Sequence, residues 1–584
     1  MKRRSLSNPE IAERLREMAL FLEMEGVPFK PRAYEKAAQA VESHATPLAP
    51  LFATGGVAAL QEVPAVGKGI AERIGELLQD GEIRDLERMR RSTPIDVRGL
   101  TSIEGLGPKH AKALYDALGI RSLADLEAAS RDGRIQNVPH FGAKSQQKIL
   151  RGLELRKQAS GRHPIGEVWS LARDIEARLG KLAGPRRVAI AGSLRRRKET
   201  IGDLDFLVVS PDPGPVMRLF VEMPEVVAVH ARGETKSMVR LANGMDADLR
   251  VVPRESFGAA LLYFTGSKDH NVALRRIAQE AGLKLNEYGV FQGEKAIAGQ
   301  TEEEVYQALG LPWIPPELRE AQGEIEAAGA GRLPKLIEYG ALRGDLQIQT
   351  DWTDGAASIE EMARAAKDLG LEYIAITDHT RDLAMSHGSD EKQLLEQAEE
   401  IQRVNRKLKG MRVLSGAEVN IRKDGTLDLS DEALGRLQVV GAAVHSLFGQ
   451  SRSVATRRVI RAMENPHVDV LFHPTARQLG RREPLDLDMD AVIQAAKRTG
   501  TVLEVDGIPD RLDLKDEYVR KAVDARVPLV IDSDAHHPSH LRYADEFGVA
   551  VARRGWARAS DVLNTLPAEK LLDHLKDGRR RRHG

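Results

Sequence analysis

The chain has 584 residues, of which 42% are hydrophobic and 29% charged, with zero formal net charge and no cysteine. That length is too great for one ordinary core and predicts several domains. The missing cysteines exclude disulfides and thiolate metal sites, and no apolar run is long enough to span a bilayer. The basic start "MKRRSLSNPE" has no apolar stretch behind it, so a secretory signal is not expected, and a cytoplasmic setting is the simplest reading. The neutral total hides a local excess: residues 1–160 carry 25 Lys and Arg against 21 Asp and Glu.

The first predicted helix opens at "SNPEIAERL", with Asn8 placed as N-cap, Pro9 at the first helical position and Glu10 in the first turn. Helical spacing then continues through residue 160, broken by short glycine turns. Three of those breaks repeat one pattern: "VPAVGKGIAERI" (63–74), "IEGLGPKHAKAL" (103–114) and "VPHFGAKSQQKI" (138–149). Each is an apolar residue, a tight turn, then a helix with Lys or Arg near its start. Such a turn aims the N–H groups of a helix N-terminus at an anion. Gly67, Gly69, Gly105, Gly107 and Gly142 are therefore candidates for gripping a DNA phosphate without reading sequence. A helical bundle with no ligand is the alternative.

From about residue 187 the pattern turns to strands. In "GSLRRRKETIGDLDFLV" (192–208), Asp203 and Asp205 are two apart and face one side of a strand. Paired carboxylates are costly unless a cation lies between them. "DADLRVV" (246–252) adds Asp248 on a strand able to lie alongside. Three carboxylates on adjacent strands can hold two Mg²⁺ ions for phosphoryl or nucleotidyl transfer. Gly192 and Ser193, followed by Arg195 and Arg196, supply a turn and donors for a triphosphate. Residues 255–311 are mixed, and 311–334 have the Pro and Gly content of a connection between domains.

After residue 344 strands and helices alternate, which predicts an α/β domain with a largely parallel, barrel-like sheet. Active-site residues of such barrels come from the C-terminal ends of strands. Eight of the 16 histidines fall between residues 379 and 540. His379, His445, His473 and His536 each follow an apolar strand, and Asp354, Glu418 and Asp534 are similarly placed. This predicts a multi-metal site. Its mixed donors suit Mn²⁺, Zn²⁺ or Fe²⁺ better than Mg²⁺ and fit phosphoester hydrolysis. "GDLQIQTDWTDG" (344–355) puts Gln347 and Gln349 at alternating strand positions where histidines would make chemical sense.

"GSLRRR…GDLDFLV", "DLRVV" and "YFTGSKDHN" (263–271) closely resemble the family X DNA polymerases, and the order of hairpins, palm and thumb matches as well. The resemblance implies gap-filling nucleotidyl transfer in DNA repair. It implies that Asp203, Asp205 and Asp248 bind two Mg²⁺ or Mn²⁺ ions, and that Asp248 helps activate the primer 3′-hydroxyl. Gly192, Ser193 and Arg196 would hold the triphosphate. Tyr263, Phe264 and Gly266 would pack against the sugar, with Lys268 nearby, and Asn271 would contact the incoming base. The Schiff-base lysine of the family's lyase members falls at Arg73, and Lys68 is out of register. Arginine stays protonated and forms no imine, so 5′-deoxyribose phosphate lyase activity is not expected.

Residues 344–576 resemble a PHP (polymerase and histidinol phosphatase) domain, which in bacterial family X polymerases is a Mn²⁺-dependent 3′–5′ exonuclease. The resemblance implies nine ligand positions around three metals: Gln347, Gln349, Asp354, His379, Glu418, His445, His473, Asp534 and His536. Glutamine offers a neutral amide oxygen, a weaker ligand than imidazole. Two ions are therefore expected, on Glu418–His445–His473 and on Asp354–His379–His536, with the third site weakened. The expected fold is multidomain, with helix-hairpin-helix domains over 1–85 (8-kDa-like) and 86–160 (fingers-like). An α+β nucleotidyltransferase palm over 161–254 and a thumb over 255–318 follow. A linker over 319–343, a distorted TIM-like PHP barrel over 344–576 and a basic tail over 577–584 complete it. Expected partners are gapped or nicked duplex DNA and dNTPs, with no membrane, for a monomer. Alternatives are a phosphoesterase as the main activity, a polymerase with an inactive structural PHP domain, and a non-enzymatic DNA-end scaffold.

Overall fold

The computed structural model describes residues 6, 8–44, 46–158, 161–184, 187–383 and 386–583. They form two compact units, one of Met1–Ser160 with Gly480–Glu483, the other of Gly161–Leu479 with Pro484–Gly584. No helix among the described residues is long and apolar enough to cross a membrane.

The first unit is helical, around a core that includes Ile11, Leu15, Phe21, Leu48, Leu60, Ile74, Leu100 and Leu114, all fully buried. Asn8 does not cap its own helix. Its amide donates to the carbonyls of His44 and Thr46, and its Oδ1 accepts from Leu48 N at 2.8 Å, which ties the second and third helices back to the first.

The three hairpins share one backbone. Val66 N donates to Val63 O at 3.1 Å, Leu106 N to Ile103 O at 3.0 Å, and Phe141 N to Val138 O at 3.0 Å. The residue at the tip of each turn has positive φ: Ala65 (60°), Gly105 (81°) and His140 (70°). Helices α1 (Lys68–Asp80), α2 (Pro108–Leu118) and α3 (Ala143–Gln158) follow. Gly67 and Gly107 sit at ordinary extended angles just before α1 and α2, and neither helix is capped by a side chain.

The second unit begins with a five-stranded sheet of β1 (Val188–Ile190), β2 (Asp203–Val209), β3 (Val226–Arg232), β4 (Lys236–Leu241) and β5 (Asp246–Val252). Their spatial order is β1-β2-β5-β4-β3, with only the β2/β5 pair parallel. Leu204, Phe206 and Val208 of β2 face the core, which leaves Asp203 and Asp205 on the opposite face. The strand expected from residue 187 stops at Ile190, because one helical turn, Gly192–Arg195, begins there. A three-stranded antiparallel sheet follows, β6 (Lys284–Asn286), β7 (Gly289–Gln292) and β8 (Lys295–Ala298).

The last part is a seven-stranded, wholly parallel sheet in sequential order. Its strands are β9 (Gly344–Ile348), β10 (Tyr373–Ile376), β11 (Arg412–Asn420), β12 (Val439–Ala443), β13 (Val470–Leu471), β14 (Val502–Asp506) and β15 (Leu529–Asp532). A bridge between Ile348 and Ala535 brings the two edges together into a nearly closed barrel. Every residue of β9, β10, β12, β14 and β15 is buried, as a parallel sheet covered on both faces requires.

Residues 319–343, expected as a linker, are packed rather than tethering. Arg319 and Glu324 are fully buried, and Ile337 joins the core shared by palm and barrel. Palm and barrel meet within this unit. A Cβ on Gly166 would lie 2.3 Å from Pro509 Cβ, Trp169 and Phe547 meet edge to face at 6.0 Å, and Arg477 holds Glu199 through two bonds of 2.6 and 3.3 Å. In the basic tail a helix spans Ala568–His583, and Arg579 is anchored on Asp469 at 2.8 Å. Gly584 lies outside the described residues.

Arg477 is nearly buried, and removing it strands a mostly buried carboxylate. Arg477→Met should destabilise this unit by about 3 kcal/mol. Adding Glu199→Gln should recover part of that loss, read as the thermal unfolding midpoint of both variants.

Candidate metal centres

In the palm, the parallel register sets Asp205 directly opposite Asp248 and Asp203 opposite Asp246. Gly192 makes this arrangement fit. Its φ is +62°, and a Cβ there would lie 2.3 Å from Asp205 Oδ2, so only glycine lets the turn close over that carboxylate. Burial first, then the charges of Asp203 and Asp248, pushes the Asp205 carboxyl up to about 7. Burial also raises Asp248, against the pull of Lys236, whose Nζ is 3.7 Å from Asp248 Oδ2. Carboxylates with elevated proton affinity and all-oxygen donors fit hard divalent cations such as Mg²⁺ or Mn²⁺.

Among the residues read as nucleotide-binding, Gly192 abuts Asp205. Ser193 Oγ is buried with no hydrogen-bond partner among the described residues, a donor left for a ligand. Tyr263 and Phe264 end α4 (Phe257–Thr265), their rings 5.1 Å apart, and Arg250 lies over Phe264 at 4.3 Å. Gly266, at φ +71°, turns the chain into α5 (Lys268–Glu280), where Lys268 is exposed and Asn271 donates to Tyr263 O at 2.7 Å.

The three arginines after Ser193 have different employments. Arg195 is bound to Glu302, which Arg319 also grips, so Arg195 is not the free triphosphate donor its position suggested. Burial opposes ionisation of Glu302, but the two guanidiniums outweigh it and hold the carboxyl far down. Arg196 bonds Glu320 at 2.8 Å and the Thr265 carbonyl. Arg197 stacks on Trp169 at 3.9 Å.

At the barrel mouth, the residues read as ligands converge from the C-terminal ends of the strands. Glu418 is fully buried at the centre. His445 Nε2 and His473 Nε2 reach its Oε1 at 2.9 and 2.8 Å, and His379 Nδ1 lies 3.3 Å from its Oε2. Asp354 Oδ2 is 3.6 Å from His379 Nε2, and Asp354 Oδ1 is 3.8 Å from His536 Nε2. Two groups, Asp354–His379–His536 and His379–Glu418–His445, each offer ligand atoms within 4.8 Å of one another. Asp354 Oδ1 and His379 Nδ1 are buried without hydrogen-bond partners among the described residues, which suits atoms awaiting a cation. Burial opposes the charge on Glu418, yet His379, His445 and the imidazole hydrogen bonds hold its carboxyl well below the usual range. His536 is raised, because Asp534 and Asp354 outweigh the effect of burial.

The glutamines are inside and engaged. Both are fully buried. Gln349 Nε2 donates to Glu418 Oε2 at 2.8 Å, and the Gln347 amide lies against the Glu504 carboxyl.

The sequence reading missed several contributors. Asn420 Oδ1 accepts from His445 Nδ1 at 2.7 Å and so fixes the imidazole with Nε2 toward Glu418. Asn420 is in turn held by Asp428. Glu504 and Asp506, two apart on β14, join Asp532, Asp534 and Asp345 in a buried carboxylate cluster. Burial and mutual repulsion raise Glu504, Asp506 and Asp532 well above the ordinary range. Arg511 sits among them. The i, i+2 spacing in "LEVDG" was the available signal for Glu504 and Asp506; Arg511 follows in a loop with no periodicity to mark it.

In the first unit, Arg73 is held by Asp85 at 2.5 Å and Gly69 O at 2.9 Å, and Lys68 is exposed. A Cβ added at Gly67, Gly107 or Gly142 would meet nothing within 4 Å.

Family models match four stretches: a helix-hairpin-helix domain at residues 6–83, a SAM-like helix-hairpin-helix tandem at 97–157, a DNA polymerase beta thumb at 260–320 and a PHP domain at 345–526. The chain is 37% identical over 577 residues to the DNA polymerase/3′-5′ exonuclease PolX of Bacillus subtilis (strain 168), covering 97% of this chain and 99% of that one. It is also 28% identical to DNA polymerase lambda of Rattus norvegicus over 54% of this chain and 56% of that one. To DNA polymerase lambda of Arabidopsis thaliana it is 27% identical, over 44% and 53%.

Because the folded-state carboxyl of Asp205 titrates near 7 rather than at its ordinary 3.8, ionising it opposes folding. That cost is absent below about pH 4, grows between the two values and is complete above 7. Metal-free Asp205→Asn should therefore melt higher than the parent at pH 8 and equally at pH 4. Added Mg²⁺ should raise the parent's melting temperature at pH 8 and leave the variant's nearly unchanged.

Proposed function

We infer that this chain, which belongs to the family X DNA polymerases that carry a C-terminal PHP domain, is a repair polymerase that fills short gaps in duplex DNA. It also carries a 3′–5′ exonuclease centre in its barrel. The observation that carries the polymerase reading is the register pairing of Asp205 with Asp248 beneath Gly192.

Asp203, Asp205 and Asp248 would hold two Mg²⁺ or Mn²⁺ ions, whose charge, when bound, neutralises the triphosphate and eases ionisation of the primer 3′-hydroxyl. Asp248 takes the proton of that hydroxyl. The 3′-oxygen forms its bond to the α-phosphorus as the bond to pyrophosphate breaks. Ser193 Oγ donates to the phosphates, and Arg196 exchanges Glu320 for them. The turn at Tyr263, Phe264 and Gly266 borders the sugar, with Lys268 and Asn271 on the adjoining helix.

Duplex DNA is held through its backbone by the hairpins. Gly67, Gly107 and Gly142 have open space where a side chain would be, and the angles of Gly67 and Gly107 are available to any residue. Neither packing nor backbone strain at those two requires glycine, so the bare backbone is kept for something outside the fold, a phosphate approaching the helix N-terminus. Arg73 remains charged and engaged, so the position of the lyase lysine offers no imine-forming amine.

In the barrel, Asp354, His379, His536, Glu418, His445 and His473 fit borderline cations such as Mn²⁺, Zn²⁺ or Fe²⁺, which when bound supply Lewis acidity to a phosphodiester and its attacking water. Asn420 orients His445 for that role. The buried glutamines favour a weakened nuclease over a full one.

Primer length on a 5′-labelled gapped duplex tests both activities. With Mn²⁺ and dNTPs the protein should extend the primer, and Asp203→Ala should reduce extension by about 10³-fold. Without dNTPs, any primer shortening should persist in Asp203→Ala and vanish in His473→Ala. Extension unchanged in Asp203→Ala would contradict the assignment of the palm.

A further inference from the structure

Arg511 takes no part in the mechanism above, yet it sits at the barrel mouth among the ligand residues. Its Nε is 3.7 Å from Asp506 Oδ2 and 3.7 Å from Asp534 Oδ2, and both carboxylates are buried. The same guanidinium acts electrostatically on Glu418, Asp513 and His473. Its side chain is 18% exposed, so it borders the opening rather than the deep core.

Gln349 donates to Glu418, Gln347 lies against Glu504, whose strand also carries Asp506, and Arg511 faces Asp506 and Asp534. Glu418 is thus met by an amide N–H, and Asp506 and Asp534 by a cation at ion-pair distance, all supplied by the chain itself. A guanidinium has donors and no acceptor, stays protonated at any working pH, and repels a second cation placed against the same carboxylates. A divalent ion would have to use these same carboxylates, and the guanidinium charge already sits against them. The other side of the mouth differs. Around Asp354, His379 and His536 the facing atoms are oxygens and imidazole nitrogens, and two of them have no hydrogen-bond partner among the described residues.

We propose that Arg511 is a built-in cation standing in place of one metal ion of the barrel, with the Gln347 and Gln349 amides completing the exchange. This rests on the reading of the barrel as a metal centre and adds to it. The barrel's metal capacity is confined to the side of His379, and the positive charge beside Asp534 is permanent and independent of metal supply. The glutamines and Arg511 therefore work as one set. Restoring imidazoles at 347 and 349 does not restore an ion while the guanidinium remains.

The test counts metal. Protein stripped of metal is dialysed against Mn²⁺, and bound manganese per chain is measured by elemental mass spectrometry, with circular dichroism and melting temperature as controls for folding. Gln347→His/Gln349→His should bind the same number as the parent, and Gln347→His/Gln349→His/Arg511→Met should bind one more. A gain of one ion in the double variant would overturn the proposal, because Arg511 would not then be excluding metal. An unchanged count in a folded triple variant would overturn it as well. If the triple variant does not fold, Arg511→Gln in the same two-histidine background replaces it, judged by the same gain of one ion. The underlying reading is tested separately. Glu418→Gln/His379→Ala should lose ions relative to the parent, and an unchanged count there would mean that the barrel holds no metal, whatever Arg511 does.

Discussion

Carboxylates held at closer quarters than their charges tolerate set the terms for both halves of the large unit. In the palm, Asp203, Asp205 and Asp248 are fixed on neighbouring strands, and the proton affinity of Asp205 rises to about 7 in response. In the barrel, Glu418 lies fully buried beneath three imidazoles, with five further carboxylates behind it. Such clusters last only if the scaffold is rigid enough to forbid their separation and if positive charge is available. The two sites meet the second condition differently. The palm leaves its oxygens open to divalent cations, while the barrel combines imidazole ligands, amide donors and one guanidinium.

Rigidity comes from packing that joins palm and barrel into one body. Arg195, Glu302 and Arg319 form a buried ion network across helix, thumb and connecting segment, and Arg477 clasps Glu199 between barrel and palm. Arg554 bonds Asp516 within the barrel and comes within 3.6 Å of Glu320, the residue that holds Arg196. Arg196 is thereby linked, through one carboxylate, to the barrel. Buried ion pairs of this kind add little net stability but penalise the loss of either partner heavily, which makes relative placement specific.

Much of this was legible in the sequence because it follows short-range rules. The alternation of strands and helices after residue 344, the i, i+2 pairing of Asp203 with Asp205, and the histidines at strand ends all depend on local periodicity. Other features depend on what meets across space. Asn8 has the identity of a cap, yet its amide is used up by His44, Thr46 and Leu48, which lie far along the chain. The 319–343 segment has a linker's composition, but its Arg319 and Glu324 find buried partners in Glu302 and His270. Arg195 and Arg196 are adjacent and alike, and only the folded chain assigns one to Glu302 and the other to Glu320. Arg511 lies in a loop, and nothing in "GIPDRLDL" tells that it ends beside Asp534.

The central claim is that these acidic clusters are cation sites, one in the palm and one in the barrel mouth. Anomalous scattering from a crystal equilibrated with Mn²⁺ tests it most directly. The account predicts anomalous density among Asp203, Asp205 and Asp248, and density on the side of the barrel mouth lined by Asp354, His379 and His536. Density at neither cluster, under conditions where the primer is being extended, would contradict it.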